Sequence, residues 1–183
     1  MKLSSLISEN ELVFPSPETA ETDVAGVCAD SRKLRAGELF FSLDGSRANM
    51  YDAVLKGALA VVTDGRRDER FPVPVLTVKD AREAFALACL RICGNPQKKL
   101  RLCAVTGTNG KTTVAAMLSD ILREGGYTTF LIGTEGAGSG SNPEKTGYTT
   151  PPPEILAPLL KKAADEKADF VIMEASSHSL DQK

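Results

Sequence analysis

Cys103-Ala-Val-Thr-Gly-Thr-Asn-Gly-Lys-Thr-Thr-Val-Ala-Ala-Met117 is the stretch on which the fold turns. The apolar run from Leu100 to Val105 reads as a strand, Thr106 to Gly110 as a glycine turn, and Thr113 to Glu124 as a helix that Gly125-Gly126 ends. Val114, Met117, Leu118, Ile121 and Leu122 form an apolar stripe expected to lie on a sheet. Strand, glycine turn and amphipathic helix in that order are the setting of a phosphate site. Glycines let backbone N–H groups approach phosphate oxygens, and the helix points its positive end at the same place. Lys111 is then placed to pair with the β and γ phosphates of a triphosphate, and the Thr112 hydroxyl to hold Mg2+. The general pattern G-x-x-x-x-G-K-[ST] puts a glycine where this chain has Val105, so the match is partial. The competing reading is a glycine turn that joins strand to helix and binds nothing.

Downstream, strands over Thr128 to Ile132 and Asp169 to Met173 alternate with a helix over Pro153 to Glu166. Strands separated by helices of this length imply crossovers and a mostly parallel sheet. Pro158 is expected to shorten or bend the last helix. The glycine- and serine-rich run Gly136 to Gly147 reads as a mobile loop. In a parallel sheet ligands bind outside the carboxyl ends of the strands, so Glu174 is expected on the same rim as the glycine turn. There it is either a carboxylate for Mg2+ or an ordinary solvated acid. His178, the sole histidine, is open between a structural hydrogen bond and a catalytic contact. Ser176 and Ser177 are either helix caps or ligand hydroxyls, and Thr149-Thr-Pro-Pro-Pro153 is either a stiff helix entry or a pair of hydroxyls offered to a substrate.

The first half of the chain has a different texture. Val24–Ala29, Glu38–Leu43, Ala60–Thr63 and Val73–Val78 are strand candidates, with a short helix over Asp52–Leu59 and a better one over Ala81–Cys93. Gly94-Asn-Pro-Gln-Lys-Lys99 combines a helix stop with a polar connector. The expected organisation is a small α/β domain over residues 1–98, followed by an incomplete P-loop domain with a mostly parallel sheet over 99–183.

Composition narrows the function classes. A net charge of −2, from 22 basic and 24 acidic residues spread along the chain, offers no footprint for nucleic acid or an anionic membrane. Four cysteines with no C-x-x-C pair, and one histidine, do not compose a zinc site. The cysteines read as buried thiols of a reducing compartment. No segment has signal-peptide or membrane-span character, so the expected location is the cytoplasm.

Taken together, the motifs resemble the Mur ligase family. The resemblance rests on Asp30-Ser-Arg32, Gly37-Glu-Leu-Phe-Phe41, Lys56-Gly-Ala58 with Val61-Val62, Gly107-Thr-Asn-Gly-Lys-Thr-Thr113, Thr149-Thr-Pro151 and Met173-Glu-Ala-Ser-Ser-His-Ser-Leu-Asp-Gln182. It points to the branch that adds a diamino acid, lysine or meso-diaminopimelate, to UDP-N-acetylmuramoyl-L-alanyl-D-glutamate. The implied reaction is ATP-dependent amide synthesis through an acyl phosphate. The resemblance implies that Gly107, Thr108, Asn109, Gly110, Lys111, Thr112 and Thr113 hold ATP, with Lys111 catalytic and Thr112 and Glu174 on Mg2+. Ser31 would contact the UDP end, and Thr149, Thr150, Ser176 and Gln182 the muramoyl dipeptide. The stretch after Gly45 is shorter than in the family, which leaves Ser46, Arg47 and Ala48, like His178, as weaker candidates. The sequence stops at Lys183 inside a motif. Family members continue with further central strands, a lysine that becomes carbamylated to support a second Mg2+, and a C-terminal domain that selects the amino acid. The expectation is therefore an inactive N-terminal part; the alternatives are a non-catalytic UDP-sugar or nucleotide-binding module, or a folylpolyglutamate or cyanophycin synthetase relative.

Overall fold

A computed structural model describes residues 1–8, 11–13, 21–65, 71–139, 143–177 and 179. His178 and Gln182 lie outside the described residues. The chain divides into two compact units, Met1–Ile92 and Cys93–Lys183.

The first unit carries a four-stranded parallel sheet in the order β1 (Gly26–Cys28), β2 (Glu38–Phe41), β3 (Ala60–Thr63), β4 (Val75–Thr77). Alternation along β2 sends side chains to two different cores. Phe40, with Val61, packs against Met50 and Ala53 of α2 (Arg47–Leu55) and against Phe71. Phe41 meets Phe85 of α3 (Ala81–Ile92), ring centroids 5.2 Å apart, on the face where α3 also packs against the short α1 (Leu3–Leu6). α2 begins well before the helix expected over Asp52–Leu59. Ser46 caps it by accepting from Asn49 N, and the helix buries only Met50 and Ala53, so little periodicity marks it in the sequence.

In the second unit a 3₁₀ turn, Pro96–Lys99, leads into a sheet ordered β5 (Arg101–Val105), β8 (Phe170–Glu174), β6 (Thr129–Gly133), β7 (Gly136–Gly138). β5, β8 and β6 are parallel; β7 returns antiparallel to β6. The expected loop after Gly136 is thus partly a strand, and Ala137 exchanges backbone bonds of 2.8 and 3.0 Å with Glu144. Glycines at both ends of β7 leave no side-chain alternation by which to read it.

Two helices flank this sheet in sequence, α4 (Lys111–Glu124) and α5 (Pro153–Asp165). α5 runs through Pro158 for 13 residues, so the proline does not shorten it. α4 differs from its expected packing. Ala115 and Ser119 are its buried residues, whereas Val114, Met117 and Ile121 are 51%, 60% and 68% exposed. Small residues let the helix approach β6 and β8 closely, and Ser119 Oγ meets Thr129 Oγ1 at 2.7 Å in that interface. Val114, Met117 and Ile121 are turned the other way, while Leu118 and Leu122, on the side of Ala115 and Ser119, are half-buried. None of the four cysteines is in a disulfide, and only Cys89 is buried, the other three being half-buried.

Candidate functional site

β8 lies between β5 and β6, although it is last in sequence, and its register pairs Glu174 with Val105. That insertion sets the last residue of β8 beside the start of the glycine turn, and Ala175 N donates to Val105 O at 2.9 Å. The turn ends at Gly110, which caps α4 with φ 78°, a left-handed conformation natural to glycine. A Cβ there would meet nothing within 4 Å, so the backbone stands open to its surroundings. The first N–H groups of α4 have no intrahelical acceptor and point out of the same end. Lys111 Nζ lies over the turn and donates to Gly107 O at 2.8 Å.

Thr112, one residue on, donates from Oγ1 to Glu174 Oε2 at 3.0 Å. Glu174 is 3% exposed. Its other contacts come from Thr134, whose N–H donates to Oε1 at 3.0 Å and whose hydroxyl donates to Oε2 at 3.2 Å. Thr134 was not among the residues singled out in the sequence. Thr134 Oγ1 also meets Thr149 Oγ1 at 3.0 Å. Thr150 faces inward instead: its hydroxyl donates to Glu174 O at 2.9 Å and accepts from Ser176 N at 3.0 Å, tying the segment before α5 to the end of β8. Ser176 Oγ accepts from Ser179 N at 3.2 Å, as a helix cap does.

The donor set fits a magnesium ion. A buried carboxylate and a threonine hydroxyl, both hard oxygen ligands, meet beside the helix N-terminus, whose positive end suits the phosphate oxygens that such an ion accompanies. Among the described residues no group of three or more His, Cys, Asp or Glu forms a full cage. Mg2+ keeps waters and is typically held by one or two protein oxygens plus phosphate.

A second concavity belongs to the first unit. Ala29, Asp30, Ser31, Arg32 and Asn49 line a cavity of about 490 Å³. Ser31 is buried at its edge; its carbonyl accepts from Lys56 Nζ at 2.9 Å, and the Lys56 ammonium pairs with Asp52 at 3.0 Å. Asp30 accepts from Arg32 Nε at 2.8 Å and from a terminal guanidinium nitrogen at 2.9 Å. Asn49 enters the lining because α2 starts at Arg47, whereas Ser46, Arg47 and Ala48 form the first turn beside it.

With both sites described, the comparisons with known proteins carry weight. Residues 105–183 match the Mur ligase middle domain. A UDP-N-acetylmuramoyl-L-alanyl-D-glutamate–2,6-diaminopimelate ligase of Mesorhizobium japonicum is 42% identical over 100% of this chain and 38% of its own length. The ligase of the same name from Syntrophomonas wolfei is 34% identical over 98% of this chain and 37% of its own. Along its whole length the chain is similar to Mur ligases. A solved structure of a diaminopimelate ligase of that name superposes with a TM-score of 0.78 at 26% identity, covering 100% of this chain and 37% of that one. The likeness extends over both units, the α/β architecture of the first as well as the glycine turn of the second. The chain spans somewhat over a third of the length of the relatives it matches. Among the described residues no helix is long and apolar enough to cross a membrane.

Proposed function

We propose that this chain is the N-terminal part of an ATP-dependent ligase that joins a diamino acid to UDP-N-acetylmuramoyl-L-alanyl-D-glutamate. The observation that carries the reading is the 3.0 Å contact between Thr112 and the buried Glu174 at the mouth of the glycine turn. Gly107 to Thr113 cradle the triphosphate of ATP, and Lys111 swings from Gly107 O to the β and γ phosphates. When bound between Thr112 and Glu174, Mg2+ supplies charge neutralisation on the phosphate oxygens. The glutamyl carboxylate takes the γ-phosphoryl group and ADP leaves; the amine then attacks the acyl carbon, phosphate leaves, and an amide remains. Phosphoryl transfer of this kind depends on positioning and charge more than on covalent chemistry by the protein.

In the same reading the first unit binds the UDP end in the cavity at Ser31, with Ser46, Arg47 and Ala48, at the start of α2, as weaker candidates. Thr149, Thr150, Ser176 and Gln182 would contact the muramoyl dipeptide, with His178 a weaker candidate. Among the described ones, Thr150 and Ser176 already bond each other and β8, whereas Thr149 Oγ1 meets Thr134 Oγ1. The names of the relatives favour 2,6-diaminopimelate as the diamino acid. The 183-residue chain by itself is expected to bind without turnover.

Calorimetry with Mg·ATP tests the site. The chain should bind nucleotide, and Lys111→Ala should weaken binding by about tenfold or more, the loss of one charge-assisted contact. Equal affinity in the variant would move the phosphate site elsewhere.

A further inference from the structure

Glu174 is not simply near the glycine turn; the dipeptide Gly133-Thr134 at the end of β6 is shaped around its carboxylate. A Cβ on Gly133 would lie 2.2 Å from Glu174 Oε1 and 2.7 Å from its Cδ, so only glycine leaves the side chain room to lie flat there. Thr134 then takes both oxygens, Oε1 through its backbone N–H at 3.0 Å and Oε2 through its hydroxyl at 3.2 Å. An ionised carboxylate only accepts, which fixes where the proton of Thr134 points. The 3.0 Å contact between Thr134 Oγ1 and Thr149 Oγ1 must therefore run from Thr149 to Thr134. The bonds form a one-way chain, Thr149 to Thr134 to Glu174, with Thr112 donating to the same Oε2.

We infer that Thr134 is a positioning residue: it aims the Glu174 carboxylate at Thr112 and ties it to Thr149 on the substrate rim. The inference rests on the reading of Thr112 and Glu174 as the metal pair. It assigns Thr134 no contact with metal or phosphate. Outer partners of this kind fix a carboxylate's orientation, and losing one typically lowers metal affinity about 10- to 100-fold. Thr134 is itself exposed, so a substitution there leaves the core untouched.

The test uses Mn2+ with ADP on the 183-residue chain, followed by the electron-paramagnetic signal of free Mn2+. Thr134→Val keeps the backbone donor and removes the hydroxyl; it should weaken Mn·ADP binding about tenfold while ADP alone binds within about twofold of wild type. Thr134→Ser restores the hydroxyl and should bind Mn·ADP within about twofold of wild type. Thr149→Val should fall between them, because Thr134 still donates to Glu174. Matching urea midpoints for the Ser and Val variants separate positioning from folding. Wild-type affinity in Thr134→Val, or equal losses in Val and Ser, overturns the inference. If the unmutated chain binds ADP but gains nothing from Mn2+, the metal pair itself fails and this inference falls with it.

Discussion

The Asp30-Ser-Arg32 motif shows how one residue pair holds a loop. Arg32 reaches Asp30 with its backbone N–H at 3.0 Å and its guanidinium at 2.8 and 2.9 Å, and Lys33 lies 3.9 Å away. The guanidinium hydrogen bonds, with the backbone N–H and the neighbouring charges, hold the carboxyl at about 2, below its ordinary 3.8. The sign follows: the ion pair's contribution is fully present above the ordinary value and is lost as pH falls through about 2. Arg32→Gln should bring the Asp30 titration back towards 3.8. Carboxyl NMR titration checks it, and an unchanged value would mean that the backbone N–H alone sets the shift. Some of the site was legible at this scale. Thr112 follows a glycine-lysine signature and Glu174 ends an apolar strand, so motif and sheet rule together found the pair. Thr134 and Asn49 carry no such mark. Thr134 is a lone polar residue whose partner is 40 positions away, and only the strand order brings them together.

Among the elements, α4 separates what periodicity can tell from what it cannot. Its apolar residues cover a wide arc, and a wide arc does not say which part meets the sheet. The buried line is Ala115 and Ser119, because a close helix-to-sheet approach selects small side chains. Ala115→Leu should then cost about 1–3 kcal/mol by overpacking. Met117→Gln and Ile121→Gln, on the exposed face, should each change stability by no more than about 0.5 kcal/mol. Urea denaturation of the 183-residue chain measures all three. A loss above about 2 kcal/mol for Met117→Gln would mean that this face is covered in solution. The same reasoning explains the two element-level misses. α2 has only Met50 and Ala53 to betray it, and β7 is glycine at two of its three positions.

For the molecule as a whole, the two units differ in how they close their sheets. In the first, β2 and β3 form the middle, almost wholly buried, and the edge strands β1 and β4 have three residues each. Short edges offer little backbone to water or to another chain. In the second unit β5 is an edge five residues long, with Arg101, Leu102 and Ala104 exposed, paired on one side only to β8. Beside it in sequence, α4 presents Val114, Met117 and Ile121 to solvent. Opening free energy follows buried apolar contact and sheet pairing, so the two units should not share one value. Amide exchange should be slowest at Phe40, Phe41, Val61 and Val62 and much faster along Arg101–Val105, at the edge of the sheet that holds Glu174. Residue-resolved hydrogen exchange on the 183-residue chain decides the matter. Equal protection of β3 and β5 would show that the β5 edge is covered and that both sheets open as one cooperative unit.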